Sequence, residues 1–316
     1  MTSVAEDQPT RRMGPARRLM HWLMNNAYLL LAFASLSWSG NHILGRAIEG
    51  QVPPIGISTV RWLIPAIALW PFARHHLRRD LPAIKAHWGM MLWLGITGGA
   101  LFSALRYVGL QMTSALNVSV LNSLVPVLIV AAGALLFRDR IAIVQIVGIA
   151  TSLIGVIVIV TRAQLDTLVR LAFSRGDLII VLNMTIFAIY AAYLRLRPPI
   201  HWLSFMFMLA VISASATLPF FIWESWSGFT FQPTLLTVVA ILYVSIFPSV
   251  LGFAAWNRGV EVLGANRAGP FLYLVPICTA VLSYGFLGEA LAPYHVLGFL
   301  LILSGVWLAS RKRPFV

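Results

Sequence analysis

Apolar residues fall in ten blocks along this chain, at 27–47, 54–73, 89–110, 114–137, 141–162, 177–197, 201–223, 235–257, 266–287 and 291–309, separated by short polar connections. A helix needs about 20 mostly apolar residues to cross the hydrocarbon core of a bilayer, so each block predicts a membrane span. The longest connection, 163–176 (AQLDTLVRLAFSRG), carries Leu165, Leu168, Val169 and Leu171 at helical spacing. It predicts a short helix lying in the interface. The N-terminal stretch has the paired arginines of an export signal, but the apolar run after it contains Asn41 and His42 and has no clear small-residue cleavage site. It predicts an uncleaved first span.

Composition narrows the class. Charged residues are 10% of the chain, against about 25% in a soluble domain, and the mean hydropathy is +0.84. A soluble domain must cover itself with polar side chains, so this chain predicts a polytopic membrane protein and excludes a disordered, collagenous or nucleic-acid-scaffold one. The single cysteine, Cys278, allows no intrachain disulfide.

The formal net charge of +13 suggests a nucleic-acid partner until the cations are placed. With the N-terminus inside, Arg11, Arg12, Arg17, Arg18, Arg74, Arg78, Arg79, Lys85, Arg138, Arg140, Arg195, Arg197, Arg258, Arg267, Arg311, Lys312 and Arg313 fall on the inner side. Only Arg46, Arg162, Arg170 and Arg175 fall outside, and Arg61 and Arg106 fall within spans. Lysine and arginine collect in cytoplasmic loops. The expectation is therefore a multi-pass protein of a bacterial inner membrane with both termini cytoplasmic, partnered by lipid and a small molecule, with no nucleic acid. Trp22, Trp70, Trp88, Trp202, Trp223, Trp226 and Trp307 sit at span ends, as interfacial indoles do; Trp38, Trp62, Trp93 and Trp256 do not fit that explanation.

The chain also repeats. LRYVGLQMTSALNVSVLNSLVPV (105–127) lies without a gap over AWNRGVEVLGANRAGPFLYLVPI (255–277). The same register pairs Gly148 with Gly298, Gly155 with Gly305, and Asp139 with Glu289. Five spans per half is an odd number, so the second half must run in the opposite sense. The predicted fold is an all-α membrane protein of ten transmembrane helices, two inverted five-helix repeats around a central cavity, the plan of many secondary transporters. Its parts would be a cytoplasmic segment (1–26), a first repeat (27–162), an outer linker (163–176), a second repeat (177–309) and a cytoplasmic tail (310–316).

Leu-Val-Pro in the fourth and ninth helices, an acid in the loop that follows, glycine-rich fifth and tenth helices, SWSGN in the first helix and RW in the second resemble the EamA type of the drug/metabolite transporter superfamily, its aromatic amino-acid exporter branch in particular. The first half departs from it with Arg138-Asp139-Arg140 where the family often has a glutamate. The resemblance implies a ten-helix carrier that exports amino acids or other small metabolites.

Polar groups inside spans are costly unless paired or facing a wet cavity. Trp38, Asn41 and His42 share one face of the first helix, with Ser39 beside them. Arg61, seven residues into the second span, suits a carboxylate; snorkelling to headgroups is its bland alternative. Tyr107 follows Arg106 near the outer end of the third helix. Asn122, Ser119 and Pro126 share a face of the fourth. Pro126 and its mate Pro276 predict paired kinks that act as hinges. The second half offers Asn183, Tyr190, Tyr193, Tyr243, Ser245, Ser249, Trp256, Asn257, Tyr273 and Tyr284, of which Tyr243 and Tyr273 sit deeper and Tyr284 reads as an interface anchor. The glycines at 148, 155, 298 and 305 read as close helix packing.

The ten acids are Glu6, Asp7, Glu49, Asp80, Asp139, Asp166, Asp177, Glu224, Glu261 and Glu289, and none falls mid-span. Coupled carriers rely on intramembrane carboxylates. The expected mechanism is therefore alternating access with facilitated diffusion, His42 being the one mid-span titratable group. No nucleotide loop, zinc spacing or nucleophile motif occurs, so no cofactor and no catalytic residue is expected. Two other readings stand beside amino-acid export. One is a sugar-phosphate or nucleotide-sugar antiporter, favoured only by Arg61 and Arg106. The other is an intramembrane lipid-modifying enzyme, which would need clustered acids or histidines.

Overall fold

The computed structural model describes residues 22, 25–48, 50–113, 118, 121–162, 166, 174–228, 231–287 and 292–310. Among these the chain is helical and has no strand. The helices are α1 (Ala27–Ala47), α2 (Pro54–Ala86), α3 (Trp88–Leu110), α4 (Val125–Phe137), α5 (Ile143–Val160), α6 (Arg175–Leu196), α7 (Trp202–Trp226), α8 (Leu235–Leu263), α9 (Leu274–Leu287) and α10 (Pro293–Ser310). Among the described residues, seven of them (α2, α3, α5, α6, α7, α8 and α10) are long and apolar enough to cross a membrane. The expected interfacial helix at 163–176 lies almost wholly outside the described residues, as do Asn117, Ser119 and Glu289.

α2 is longer than its apolar block. It runs on through ARHHLRRDLPAIKA to Ala86, because those residues are mostly good helix formers, although they are too polar for a bilayer. Its start is built from sequence: Pro54 has no N–H to leave unpaired, and the free N–H groups of Ile55 and Gly56 donate to Glu224, near the end of α7, at 3.2 and 2.8 Å. A carboxylate at a helix N-terminus also meets the positive end of the helix dipole. Glu224→Ala strands those donors and is expected to cost about 1–3 kcal/mol, read as a lower unfolding midpoint with unchanged oligomeric state.

The other end of the same pair is held alike. Asp80, late in α2, accepts the N–H of His201 at the start of α7 at 2.9 Å. The His201 Nδ1 in turn accepts from Leu203, and its ring stacks on His76 at 3.7 Å. Partial burial, then the neighbouring His76, holds His201 below the usual histidine range, against the pull of Asp80. The neutral ring is the form that accepts at Nδ1.

Contacts fix the relative directions of the helices. Gly148 meets Gly305 and Gly155 meets Gly298, so α5 and α10 cross antiparallel. Thr59 bonds Thr217 while Trp70 packs on Phe207, so α2 and α7 are antiparallel too. α1 packs against α8 and α9, and α6 packs against α3 and α4. Both α8 against α1 (Gly259 on Leu31, Phe253 on Trp38) and α6 against α3 (Ile180 on Gly109, Tyr190 on Gly98) are antiparallel. Ser35 and Ser39 of α1 donate to the carbonyls of Phe271 and Val275, which sets α1 parallel to the chain entering α9.

The two prolines expected to kink continuous helices do not. Pro126 sits in the first turn of α4, after the chain turns at Ser123 and Leu124. Pro276 sits in the first turn of α9, after a 3-10 segment, Gly269–Tyr273. Each begins a restarted helix, where its missing N–H costs no bond. A different irregularity was not foreseen. α3 and α8 each contain a π-turn, Ile96–Leu101 and Phe247–Gly252, at corresponding places in the two halves. Such turns often sit at functional sites.

Candidate functional site

The two π-turns organise the middle of the molecule. In α3, the carbonyl of Gly99 accepts the indole N–H of Trp62 at 3.2 Å, which Ser103 Oγ shares at 3.0 Å. In α8, the carbonyl of Pro248 accepts the indole N–H of Trp38 at 3.2 Å. Each indole thus locks a helix of the first half to a π-turn. Around them a layer of rings closes: Trp38 meets Phe187, Phe253 and Trp256 at 5.5–5.9 Å between centroids, and Trp62 meets Phe253 at 5.2 Å. Most of these pairs are edge-to-face or tilted, the arrangement the ring quadrupoles favour. Trp62, Trp256, Tyr190 and Phe253 are fully buried in this layer. Two grooves lie away from it, one of about 200 Å³ along Trp70, Arg74, Leu77, Arg78 and Leu81, the other along the start of α10.

Arg61 lies against this layer, 2% exposed, so it does not snorkel. Its Nε donates to Ser249 Oγ at 2.9 Å and its Nη1 to Tyr107 Oη at 3.2 Å. Tyr107 donates onward to Asn41 Oδ1 at 3.4 Å, and Ser249 to the carbonyl of Val244 at 2.7 Å. The guanidinium carbon stands 5.8 Å from the ring of Trp62. Among the described residues no carboxylate lies within ion-pair distance of it. Among the described residues, neutral oxygens hold this buried positive charge, which is costly in a low-dielectric interior.

The structure thus brings together Arg61, Tyr107, Asn41, Trp38 and Ser249 from the sequence reading. Trp256 and Tyr190 join the aromatic layer, and the others are placed as follows. Ser39 spends its hydroxyl on the carbonyls of Ser35 and Val275. Asn183 donates to the carbonyl of Phe102, a tie between α6 and α3. Tyr190 donates to Asn257 at 2.7 Å, fully buried. These three are packing contacts, because hydrogen-bonding capacity buried in an apolar core must be met internally. Tyr243 bonds the carbonyl of Ser37 and stacks on Phe247, and it rests on Gly40, where any side chain would collide with its ring. Tyr273 is 1% exposed, with a hydroxyl that has no partner among the described residues. Asn122 is half-buried. The side chain of His42 lies outside the described residues. Phe102, Phe187 and Phe253 were not foreseen as site residues; the signal for the layer was Trp62 and Trp256, two mid-span indoles that interface anchoring does not explain.

Toward the ends of the helices that carry the basic loops, polar ties replace rings. Arg195 pairs with Asp139 through two bonds and lies over Phe137 at 4.2 Å. Asn266 also donates to Asp139, and Glu261 bridges Arg197 and Arg258. The hydrogen bonds from Arg195 hold the Asp139 carboxyl below the usual range, against a smaller opposing effect of burial.

Fold and site together define a multi-pass helical membrane protein with a buried cation that has no acid partner among the described residues, beside an aromatic layer. The chain belongs to the EamA-like transporter family, whose profile matches it twice, at residues 25–161 and 174–311. It is similar to the uncharacterized transporter YyaM of Bacillus subtilis (strain 168), 30% identical over 302 residues that cover 90% of this chain and 93% of that one. It is also similar to a probable terminal-alkyne amino-acid exporter of Streptantibioticus cattleyicolor, 27% identical over 260 residues covering 80% and 82%. A solved structure described only as the crystal structure of a protein shares the fold, with a TM-score of 0.69 at 19% identity over 90% of this chain and 96% of that chain.

Proposed function

We propose that this transporter is a ten-span secondary carrier that exports small amphipathic carboxylates, amino acids with aromatic or apolar side chains among them. Arg61 anchors the carboxylate, and Trp38, Trp62 and Phe253 receive the apolar part. The observation that carries the reading is the buried guanidinium held only by neutral partners: an incoming carboxylate supplies the missing counter-charge, bidentately. The similar protein named as an amino-acid exporter supports the substrate class.

In this reading residues 27–162 and 177–309 are inverted repeats, and both termini are cytoplasmic in a bacterial inner membrane. Support comes from pairings that persist when the halves are exchanged: α1 with α8 mirrors α6 with α3, and α1 with α9 mirrors α6 with α4. The loops assigned to the inner side also touch one another, as in Arg195 with Asp139 and Arg197 with Glu261. Alternating access would bend the chain at its breaks, the restarts at Pro126 and Pro276 and the two π-turns. Replacing both prolines by Ala is expected to slow transport several-fold with expression unchanged; unaltered flux would remove their hinge role.

The test is counterflow of labelled amino acids and their carboxylate analogues in liposomes, with and without a pH gradient. Saturable exchange that ignores the gradient is expected for facilitated diffusion. A sugar-phosphate antiporter is the second reading, favoured by Arg106, 9% exposed and next to Tyr107; competition by sugar phosphates alone would establish it over the first.

A further inference from the structure

Among the described residues, the acceptors that hold Arg61 and the two indoles are already engaged. The two π-turn carbonyls that face the centre, Gly99 and Pro248, already take the indole N–H groups of Trp62 and Trp38. Ser249 Oγ and Tyr107 Oη accept from Arg61, and Asn41 Oδ1 accepts from Tyr107. Among the described residues the buried indole Nε1–H of Trp256, beside Trp38, has no partner, while the orphan hydroxyls of Ser58, one turn before Arg61, and of Tyr273 can donate or accept. An indole nitrogen is a donor only. The acids are spent elsewhere: Glu224 on α2, Asp80 on His201, Asp177 on Ser174 and Thr113, Asp139 on Arg195, and Glu261 on Arg197 and Arg258. Glu6, Asp7, Glu49, Asp166 and Glu289 lie outside the ten apolar blocks.

A ligand with a free α-ammonium group brings a positive charge and three donors into this region. It meets a fixed guanidinium and, among the described residues, no carboxylate paired with it. The Trp62 ring offers a second cation little, since Arg61 itself stands 5.8 Å from it. A monoanion brings acceptors only and neutralises Arg61. We propose that the site selects by net charge: its substrate class is apolar monocarboxylates lacking a free ammonium group, such as aryl- and alkyl-alkanoates or N-blocked amino acids, with zwitterionic amino acids bound more weakly. This rests on the reading of Arg61 as the carboxylate anchor.

The experiment is calorimetric binding to the purified full chain in detergent at pH 7.5, with 3-phenylpropionate, L-phenylalanine and 2-phenylethylamine as probes. 4-Methylpentanoate and L-leucine repeat the comparison with an aliphatic tail. The carboxylates are expected to bind at least about tenfold tighter than the matching amino acids, a step of 1.4 kcal/mol, and the amine not at all. Arg61→Gln is expected to erase that preference, and Arg61→Lys to keep part of it. If the amino acids bind as tightly as the carboxylates and both lose affinity in Arg61→Gln, selection by charge is overturned and the anchor stands. If no carboxylate binds, or Arg61→Gln binds all probes as the parent does, the anchor itself is overturned.

Discussion

Arg61→Gln is expected to weaken carboxylate binding by about a hundredfold, the equivalent of roughly 3 kcal/mol for losing a buried charge-assisted pair. Counterflow should show this as a raised half-saturation concentration, not as missing protein. The separation is physical. Without ligand, Arg61 is a buried charge whose partners among the described residues are the neutral Ser249 and Tyr107, so removing it relieves a desolvation cost that these partners offset only in part. Thermal stability of the empty variant should therefore hold or rise while its affinity falls. Arg61→Lys keeps the charge but lacks the fork that reaches Ser249 and Tyr107 together, and it should fall between. Equal loss of stability and affinity in Arg61→Gln would instead make Arg61 a structural residue.

Trp38 extends the argument from charge to shape. Its indole N–H fixes the π-turn of α8 at Pro248, and the next residue, Ser249, holds Arg61. Movement of the aromatic layer is thus transmitted within one residue to the cation. The same turn contains a proline and α3 carries Gly98 and Gly99 in its own, the latter with Ser213 pressed so closely that no side chain fits. Both helices are built to be irregular at corresponding depths.

How much of this could be read from the sequence follows from what kind of force sets each feature. Spans are set by a one-dimensional requirement, enough consecutive apolar residues, and the block 27–47 coincides with α1. The requirement says nothing where a helix leaves the membrane, so α2 was expected to stop at 73 and continues to Ala86. Polar residues mid-span are rare enough to point at a site, which is how Arg61, Tyr107 and Asn41 were found. Yet whether such a group faces a ligand or a neighbouring helix depends on the partner across the interface. Ser39 and Asn183 look like Asn41 in sequence, but each has a carbonyl within reach from a helix in the other half. The π-turns escape a reading by blocks because one extra residue per turn leaves hydropathy unchanged.

The glycines at 148, 155, 298 and 305 were expected to mark close packing, and the second large effect lies there. A Cβ on Gly148 would stand 2.6 Å from the Gly305 carbonyl and the Ala309 nitrogen; one on Gly305 would stand 2.5 Å from the Gly148 carbonyl. These are backbone atoms of the facing helix, so no rotamer change relieves the clash, and α5 and α10 must separate. Gly148→Val and Gly305→Val are each expected to cost about 3 kcal/mol or more, at or beyond the upper end of the usual penalty for overpacking, read as a collapsed unfolding midpoint in detergent. Gly89→Ala, where a Cβ meets nothing within 4 Å, is the matched control and should be neutral or slightly stabilising. The pairing adds a sharper expectation. Gly148 faces Gly305 and Gly155 faces Gly298, and exchanging the halves by the 150-residue register turns one contact into the other. Gly148→Ala and Gly298→Ala should therefore destabilise alike, and Gly148→Ala with Gly305→Ala should cost less than their sum, since the first already forces the helices apart at that contact. Strict additivity would mean that the two positions do not share one crossing.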